Sequence, residues 1–260
     1  MTAAVDKSFV SIVQRDGIAV LSVDNPPVNA LSTAVRSQLL EAITAVESDA
    51  GIKAAIITCA GRTFFAGADI HEFGQPPQHP SLPTLIARIE ACGKPVVAAI
   101  HGSALGGGLE LALGCHARIA SPSAKLGLPE VSLGLVPGAG GTQRLPRLIG
   151  VRRAWAMIID GKPVEAVTAL QFGLIDAVST NLAIDAQGLA KQLAADVGAG
   201  IPLRRTGLLP VKETDRSSDL AKLFDEETER LAARQRGFPA PLKALLETLM
   251  SVQFPTRSPR

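Results

Sequence analysis

The chain has 260 residues, 47% of them hydrophobic and 19% charged, with a formal net charge of +2. That length fits one large domain, or one domain with a small appendage, and the apolar content excludes an intrinsically disordered chain. The charge is too balanced for a nucleic-acid partner, three scattered cysteines (Cys59, Cys92 and Cys115) suit neither a disulfide framework nor a zinc or other metal site, and no run approaches the ~18 apolar residues that span a membrane.

In chain order, residues 9–14 and 18–24 alternate apolar and polar around Arg15-Asp16-Gly17, which predicts a β-hairpin. Pro26-Pro27 ends the second strand. Ser32 is a candidate cap for a helix in which Val35, Leu39, Ala42, Ile43 and Val46 share one face, with Gly51 beyond its end. The apolar run 54–59 predicts a buried strand, 60–68 a glycine-bearing loop, 82–92 a helix, and 95–100 a second buried strand. A further glycine run opens a helix over 108–114. Strand, glycine loop and helix thus occur twice, which predicts an α/β chain with parallel connections. Beyond it, 141–149, 151–159 and 164–172 predict short helices and 182–197 a longer one. The stretch 198–217 has the Gly, Pro and charge of a linker. Helices are expected over 218–236 and from Pro239-Ala240-Pro241 to about residue 252. The expected division is a core over 1–200 and a helical region over 201–260.

Two loops carry the chemistry. One reads Phe64-Phe65-Ala66-Gly67-Ala68-Asp69, the other Ala104-Leu105-Gly106-Gly107-Gly108-Leu109-Glu110. Glycine lets backbone approach a ligand closely, and two free N–H groups aimed at one point make an oxyanion hole. From spacing alone, the plainer reading is two tight strand-to-helix turns. Other glycine motifs fail: the third glycine of a dinucleotide fingerprint is missing after Gly106 and Gly108, Gly161-Lys162 is followed by Pro163 rather than Ser or Thr, and Gly102-Ser103-Ala104 is no nucleophile elbow. Glu110 follows Gly107 by about one helical turn; taken alone it is an acidic residue favoured by a helix N-terminus. Glu130, taken alone, is a solvated loop residue.

The motifs together are more specific than any one of them. Asn25-Pro26-Pro27-Val28-Asn29-Ala30-Leu31, the two glycine loops, Gly127-Leu128-Pro129-Glu130, and the run from Gly134 through Gly138-Ala139-Gly140-Gly141-Thr142-Gln143-Arg144 to Leu145 resemble the crotonase (enoyl-CoA hydratase/isomerase) superfamily. The resemblance covers about residues 8–195, and 106–153 resembles most the hydratase half of bifunctional hydratase/3-hydroxyacyl-CoA dehydrogenases. It implies repeated ββα units with a helical C-terminal region, and an acyl-CoA thioester substrate whose CoA is part of the substrate, with no separate cofactor. It also implies oxyanion-hole N–H groups at Ala68 and Gly107 and catalytic carboxyls at Glu110 and Glu130, Glu110 the water-orienting base and Glu130 the proton donor. Substrate contacts fall at Val28, Ala30, Ala66, Asp69, Ile70, Gly106, Pro137 and Gly138. Hydration of a 2-enoyl-CoA is the implied reaction, of the fatty-acid β-oxidation type, with Δ3,Δ2-enoyl-CoA isomerisation as the alternative.

Some features depart from the family. Residues 74–83 replace a segment that lines the acyl pocket in relatives, which leaves chain length open. The helix over 32–49 holds Arg36 and no lysine, unlike the RNA-binding relatives. Asp69 and Glu72 have the spacing of a helix cap. His71, Arg152 and Arg153 are expected on the surface, His101 in a structural role and Trp155 in the core. The N-terminus carries Asp6 and no apolar segment, and the chain ends in Ser258-Pro259-Arg260, so a cytoplasmic protein with reduced thiols is expected. Leucine stripes at Leu220, Leu223 and Phe224 and at Leu242, Leu245, Leu246 and Leu249 suggest a homotrimer or hexamer, or folding back onto the same subunit.

Overall fold

The computed structural model describes residues 8–72, 74–211, 222, 224–230 and 239–253. Strands β1 (Val10–Arg15) and β2 (Ile18–Val23) form the expected hairpin. Arg15 pairs with Ile18, which leaves Asp16 and Gly17 as a two-residue loop, both at positive φ (51° and 77°). That is the turn whose twist matches a hairpin. Helix α1 (Thr33–Ser48) starts where Ser32 accepts the Val35 N–H, and buries the predicted face together with Arg36.

From β2 the sheet continues in parallel through β3 (Ala54–Cys59), β4 (Val96–Ile100), β6 (Ala117–Ala120) and β9 (Ala177–Val178), in the order β1-β2-β3-β4-β6-β9. β3 and β4 read as unbroken apolar runs because both faces are covered. Ala55 and Ile57 face the larger core beneath α1, α2 (Leu82–Ala91) and α3 (Gly107–Gly114). Ala54 and Ile56 face α7 (Leu182–Gly198), where Ala186 and Ala190 allow close approach. A second sheet, β5-β7-β8, is built from Ser103–Leu105, Lys125–Gly127 and Val164–Glu165. These short strands complete the repeated ββα pattern: β4, β5 and α3 form one such unit, and β5 delivers the chain straight into α3.

Two sequence readings change, and the last helix takes one of the two placements expected for it. Val164 and Glu165 pair with Leu126 and Lys125 instead of starting a helix, so α6 spans only Ala166–Phe172. The stretch taken for a linker is bound to the core over its described part, 199–211. Arg204 reaches Asp176 (2.7 Å) and the His116 carbonyl, Thr206 is buried, and the Gly207 N–H meets Glu90 at 2.6 Å. Finally, α8 (Pro239–Gln253) packs on α4 (Gly141–Ile149) and α5 (Val151–Asp160) of its own subunit, with Leu245 buried among Val151, Trp155 and Ile159. Each fully buried aliphatic or aromatic side chain of such a contact is worth roughly 1.5–3 kcal/mol. Leu220 and Leu223 lie outside the described residues, and Phe224 joins the same cluster as Leu245.

Candidate active site

The loop after β3 is tied down on two sides. Phe64 and Phe65 are fully buried with rings edge to face, 4.6 Å between centroids. The Phe65 carbonyl accepts the Leu105 N–H at 3.0 Å, the Ala66 N–H meets the Val28 carbonyl, and the Leu31 N–H meets the Gly67 carbonyl at 3.0 Å. Leu31 and Ala68 form an isolated parallel bridge. Asn29, buried and at φ 53°, holds this turn to the loop by donating to the Ala60 and Thr63 carbonyls, both at 2.9 Å.

The second glycine loop has two obligatory glycines. Gly106 sits at φ 52°, ψ −127°, a region closed to L side chains. A Cβ on Gly108 would lie 2.2 Å from the Phe65 carbonyl oxygen, so only glycine lets α3 start against that loop. The consequence is a meeting of the two amides. A Cβ on Gly107 would lie 3.2 Å from the Ala68 nitrogen, and among the described residues no acceptor takes the N–H of either. The first N–H groups of a helix have no intrahelical partner and carry partial positive charge.

Glu110, in the first turn of α3, is 3% exposed. Its Oε1 accepts the N–H groups of Ala139 (2.7 Å) and Gly141 (2.8 Å), so it caps the start of α4. Burial raises its carboxyl above the ordinary range, while those two amides and the Arg144 charge pull it back. Glu130 opens the 3-10 turn Glu130–Leu133 after Pro129. Its Oε1 lies 3.2 Å from where a Gly106 Cβ would be, and its Oε2 is buried with no partner among the described residues. It is therefore not the solvated loop residue that it resembles in isolation. Burial, with the charge of Glu110 second, pushes its carboxyl up to about 8. Behind Glu110, Arg144 forms a two-point pair with Glu90 (2.8 and 3.2 Å) and donates to the Ala139 carbonyl at 3.3 Å.

These groups share one cavity of about 480 Å³, and the remaining lining is largely apolar. Of the residues expected from the sequence, Ala66, Ala68, Ile70, Gly106, Gly107, Glu110, Glu130 and Gly138 are on its wall. Val28, Ala30, Asp69 and Pro137 are not. Val28 is exposed and supports Ala66 through its carbonyl, the Ala30 carbonyl accepts from Asn25, Asp69 accepts the His71 N–H at 3.0 Å, and Pro137 is buried beside Gly141. The sequence did not single out Leu133, Leu135 and Val136, nor the contribution of Gly74, Leu82 and Pro83 from the atypical 74–83 segment. Apolar residues in loops carry no chemical signature, so only the folded shape reveals them. Glu72 does not cap its own turn: its carboxylate goes to Arg36 and Thr33 of α1. Arg152 and Arg153 are exposed, with Arg153 over the Phe172 ring, and Trp155 is 1% exposed. Burial lowers the His101 pKa, in keeping with a neutral, structural side chain. Among the described residues no group of three or more His, Cys, Asp or Glu is placed to hold a metal ion. No helix there is long and apolar enough to cross a membrane.

Comparison with known proteins agrees with this architecture. Residues 14–199 match the model of the enoyl-CoA hydratase/isomerase family. A probable enoyl-CoA hydratase of Bacillus subtilis is 44% identical over 207 residues, which cover 77% of this chain and 80% of that protein. The peroxisomal bifunctional enzyme of Danio rerio is 43% identical over 94% of this chain, which spans only 33% of that longer protein. The enoyl-CoA hydratase of Bacillus anthracis has the same fold, with a TM-score of 0.70 at 31% identity, covering 94% of this chain and 91% of that one. The chain belongs to the enoyl-CoA hydratase/isomerase family and has the crotonase fold.

Proposed function

We propose that this chain is an enoyl-CoA hydratase that adds water across the double bond of a 2-enoyl-CoA thioester to give the 3-hydroxyacyl-CoA. The observation that carries the reading is the pairing, in one apolar cavity, of two carboxyls in unlike surroundings with two unsatisfied amides. The amides of Ala68 and Gly107 are suited to hold the thioester oxygen, where negative charge builds as C3 is attacked. One such donor is typically worth about 3–4 kcal/mol in the transition state. Glu110, whose Oε1 is held by two N–H groups, is the better-stabilised carboxylate and takes a proton from the attacking water. Glu130, kept protonated by burial, delivers a proton to C2. One proton leaves the water and one reaches carbon, so a proton passed from Glu110 to Glu130 resets the pair for the next turnover. No redox step is needed, and the CoA belongs to the substrate.

The setting in this proposal is fatty-acid β-oxidation, supported by the likeness to a peroxisomal fatty acid beta-oxidation multifunctional protein of Arabidopsis thaliana. A cytoplasmic location and assembly into a trimer or hexamer belong to the same proposal. Exposed Val167 and Leu170 on α6 and Ile184 on α7 support the assembly, and light scattering across a dilution series tests it. The activity is tested with 2-enoyl-CoA thioesters of graded length, following loss of the conjugated absorbance and uptake of solvent oxygen by mass spectrometry. Conversion of a 3-enoyl-CoA without oxygen uptake, and no hydration, would replace hydration with isomerisation.

A further inference from the structure

Arg36 sits in the first turn of α1 and is 4% exposed, yet no part of it reaches the reaction centre. Four hydrogen bonds hold its guanidinium. Nε donates to the Pro80 carbonyl at 2.7 Å, Nη1 to the Leu31 carbonyl and to Glu72 Oε2, both at 2.7 Å, and Nη2 to Thr33 Oγ1 at 2.9 Å. Glu72 in turn accepts the Thr33 N–H at 2.6 Å and the Thr33 hydroxyl at 2.8 Å through Oε1. Burial raises the Glu72 carboxyl, and the bonds from Arg36 and Thr33 more than offset it, so the net shift is downward and favours the carboxylate.

The acceptors are informative by position. Glu72 lies just after the Ala68 amide, and Pro80 lies just before α2. One side chain therefore pins both ends of the segment 69–81 to α1. Beside the two pins stand four wall residues of the cavity, Ile70, Gly74, Leu82 and Pro83. Three of them are apolar side chains suited to an acyl tail, and Leu82 also lies over Gly107, its Cδ2 2.7 Å from where a Cβ would be.

We propose that Arg36, through Glu72 and Pro80, is a positioning residue for acyl-chain recognition: it fixes the wall formed by Ile70, Gly74, Leu82 and Pro83 and so favours the longer chains. The inference rests on the hydratase reading of the same cavity. A planar fork of five donors reaches three separate backbone and carboxylate acceptors at fixed angles, which a lysine ammonium does not reproduce. A tail long enough to lie on the wall depends on that wall being held in advance, because ordering a loose wall costs binding energy. A four-carbon tail meets mainly the carboxyls and the two amides, which Arg36 does not touch. Small changes in apolar contact are worth roughly 10–200-fold in discrimination per methylene.

The experiment compares kcat and KM for crotonyl-, hexenoyl-, octenoyl- and decenoyl-CoA in the wild-type chain, R36K and E72Q. E72Q preserves shape and stays interpretable if R36K fails to fold, which circular dichroism reports. The expected result is a fall of about tenfold or more in the kcat/KM ratio of decenoyl- to crotonyl-CoA in both variants. The fall should lie mostly in KM, with crotonyl-CoA kcat within about twofold of wild type. An equal loss at every length means a general structural role and overturns the inference, as does an unchanged or rising ratio. Failure of the hydratase reading looks different: the wild-type chain then hydrates none of the four.

Discussion

Glu110 and Glu130 carry the same functional group into one cavity, yet the two regions that deliver them treat it in opposite ways. The start of α3 meets the start of α4, and Glu110 is received by two N–H groups at 2.7 and 2.8 Å. The 3-10 turn that carries Glu130 brings no donor to Oε2, which is buried without a partner among the described residues. Both carboxyls are raised by burial, but Glu110 receives two amides from a facing loop and the Arg144 charge, whereas Glu130 has only its own backbone N–H to offset burial and the charge of Glu110. Pre-aimed amides replace water for one carboxylate, and their absence keeps the other protonated. One kind of side chain thereby supplies a base and an acid at neutral pH.

The largest expected effect breaks the comparison outright. Glu110→Gln and Glu130→Gln should each lower kcat by about 10²–10⁴-fold, the usual share of one acid–base group. The double variant should fall far short of the product of the two losses, because the residues act as one unit. Steady-state hydration kinetics decide this; near-normal turnover by either single variant would remove it from the mechanism. A somewhat smaller loss is expected from Gly107→Ala. The added methyl would sit 3.2 Å from the Ala68 nitrogen and 2.7 Å from Leu82 Cδ2, inside the space between the two amides. A kcat reduction of about 10²–10³-fold is the outcome that matches loss of an oxyanion donor. Full activity would place the thioester oxygen elsewhere.

The contrast between the two glutamates was only half legible in the sequence. The hairpin, α1, β3 and α2 follow from alternation, capping by Ser32, and apolar runs, all local signals. The strands at 103–105, 125–127, 164–165 and 177–178 are too short to show a period, and they exist because a neighbouring strand pairs with them. The motifs identified both glutamates by resemblance, but neither glutamate's surroundings could be read from spacing. The amides that hold Glu110 are 29 and 31 positions away, and Glu130 is buried by tertiary contacts. Spacing assigns no role to Arg36 or Arg144, since what marks them is a partner 36 or 54 residues distant.

The protonation states give a sharper test. If Glu130 must be protonated to act, activity should fall above about pH 8, near the value to which burial pushes its carboxyl. The same shift has a stability consequence. A carboxyl raised in the folded state from the ordinary ~4.3 binds its proton more tightly there than in the unfolded chain. The stabilisation is fully present below the unfolded value and is lost as pH rises through about 8. Urea unfolding of the wild-type chain should therefore show a steeper decline between about pH 5 and 9 than Glu130→Gln, whose amide does not titrate. Parallel declines would mean that the Glu130 carboxyl is not raised in the folded state.

The smallest expected effect reaches Glu110 from behind. Arg144 holds Glu90 at two points and the Ala139 carbonyl at one, so it braces the loop whose Ala139 and Gly141 amides grip Glu110. Its positive charge also favours the ionised form of Glu110. Arg144→Met removes both effects, and Arg144→Lys restores the charge without the fork. Since the charge lowers the Glu110 pKa, its loss raises that pKa, and the acid limb of the kcat profile should move to higher pH. A drop in kcat of several-fold at neutral pH, on the order of tenfold at most, is expected for the methionine variant, because the two amide bonds to Glu110 remain. The lysine variant should bring the acid limb back while recovering only part of the rate. A methionine variant with the wild-type acid limb and a uniformly lower rate would mean that Arg144 merely supports the fold, through Glu90 and the Gly207 segment bound to it.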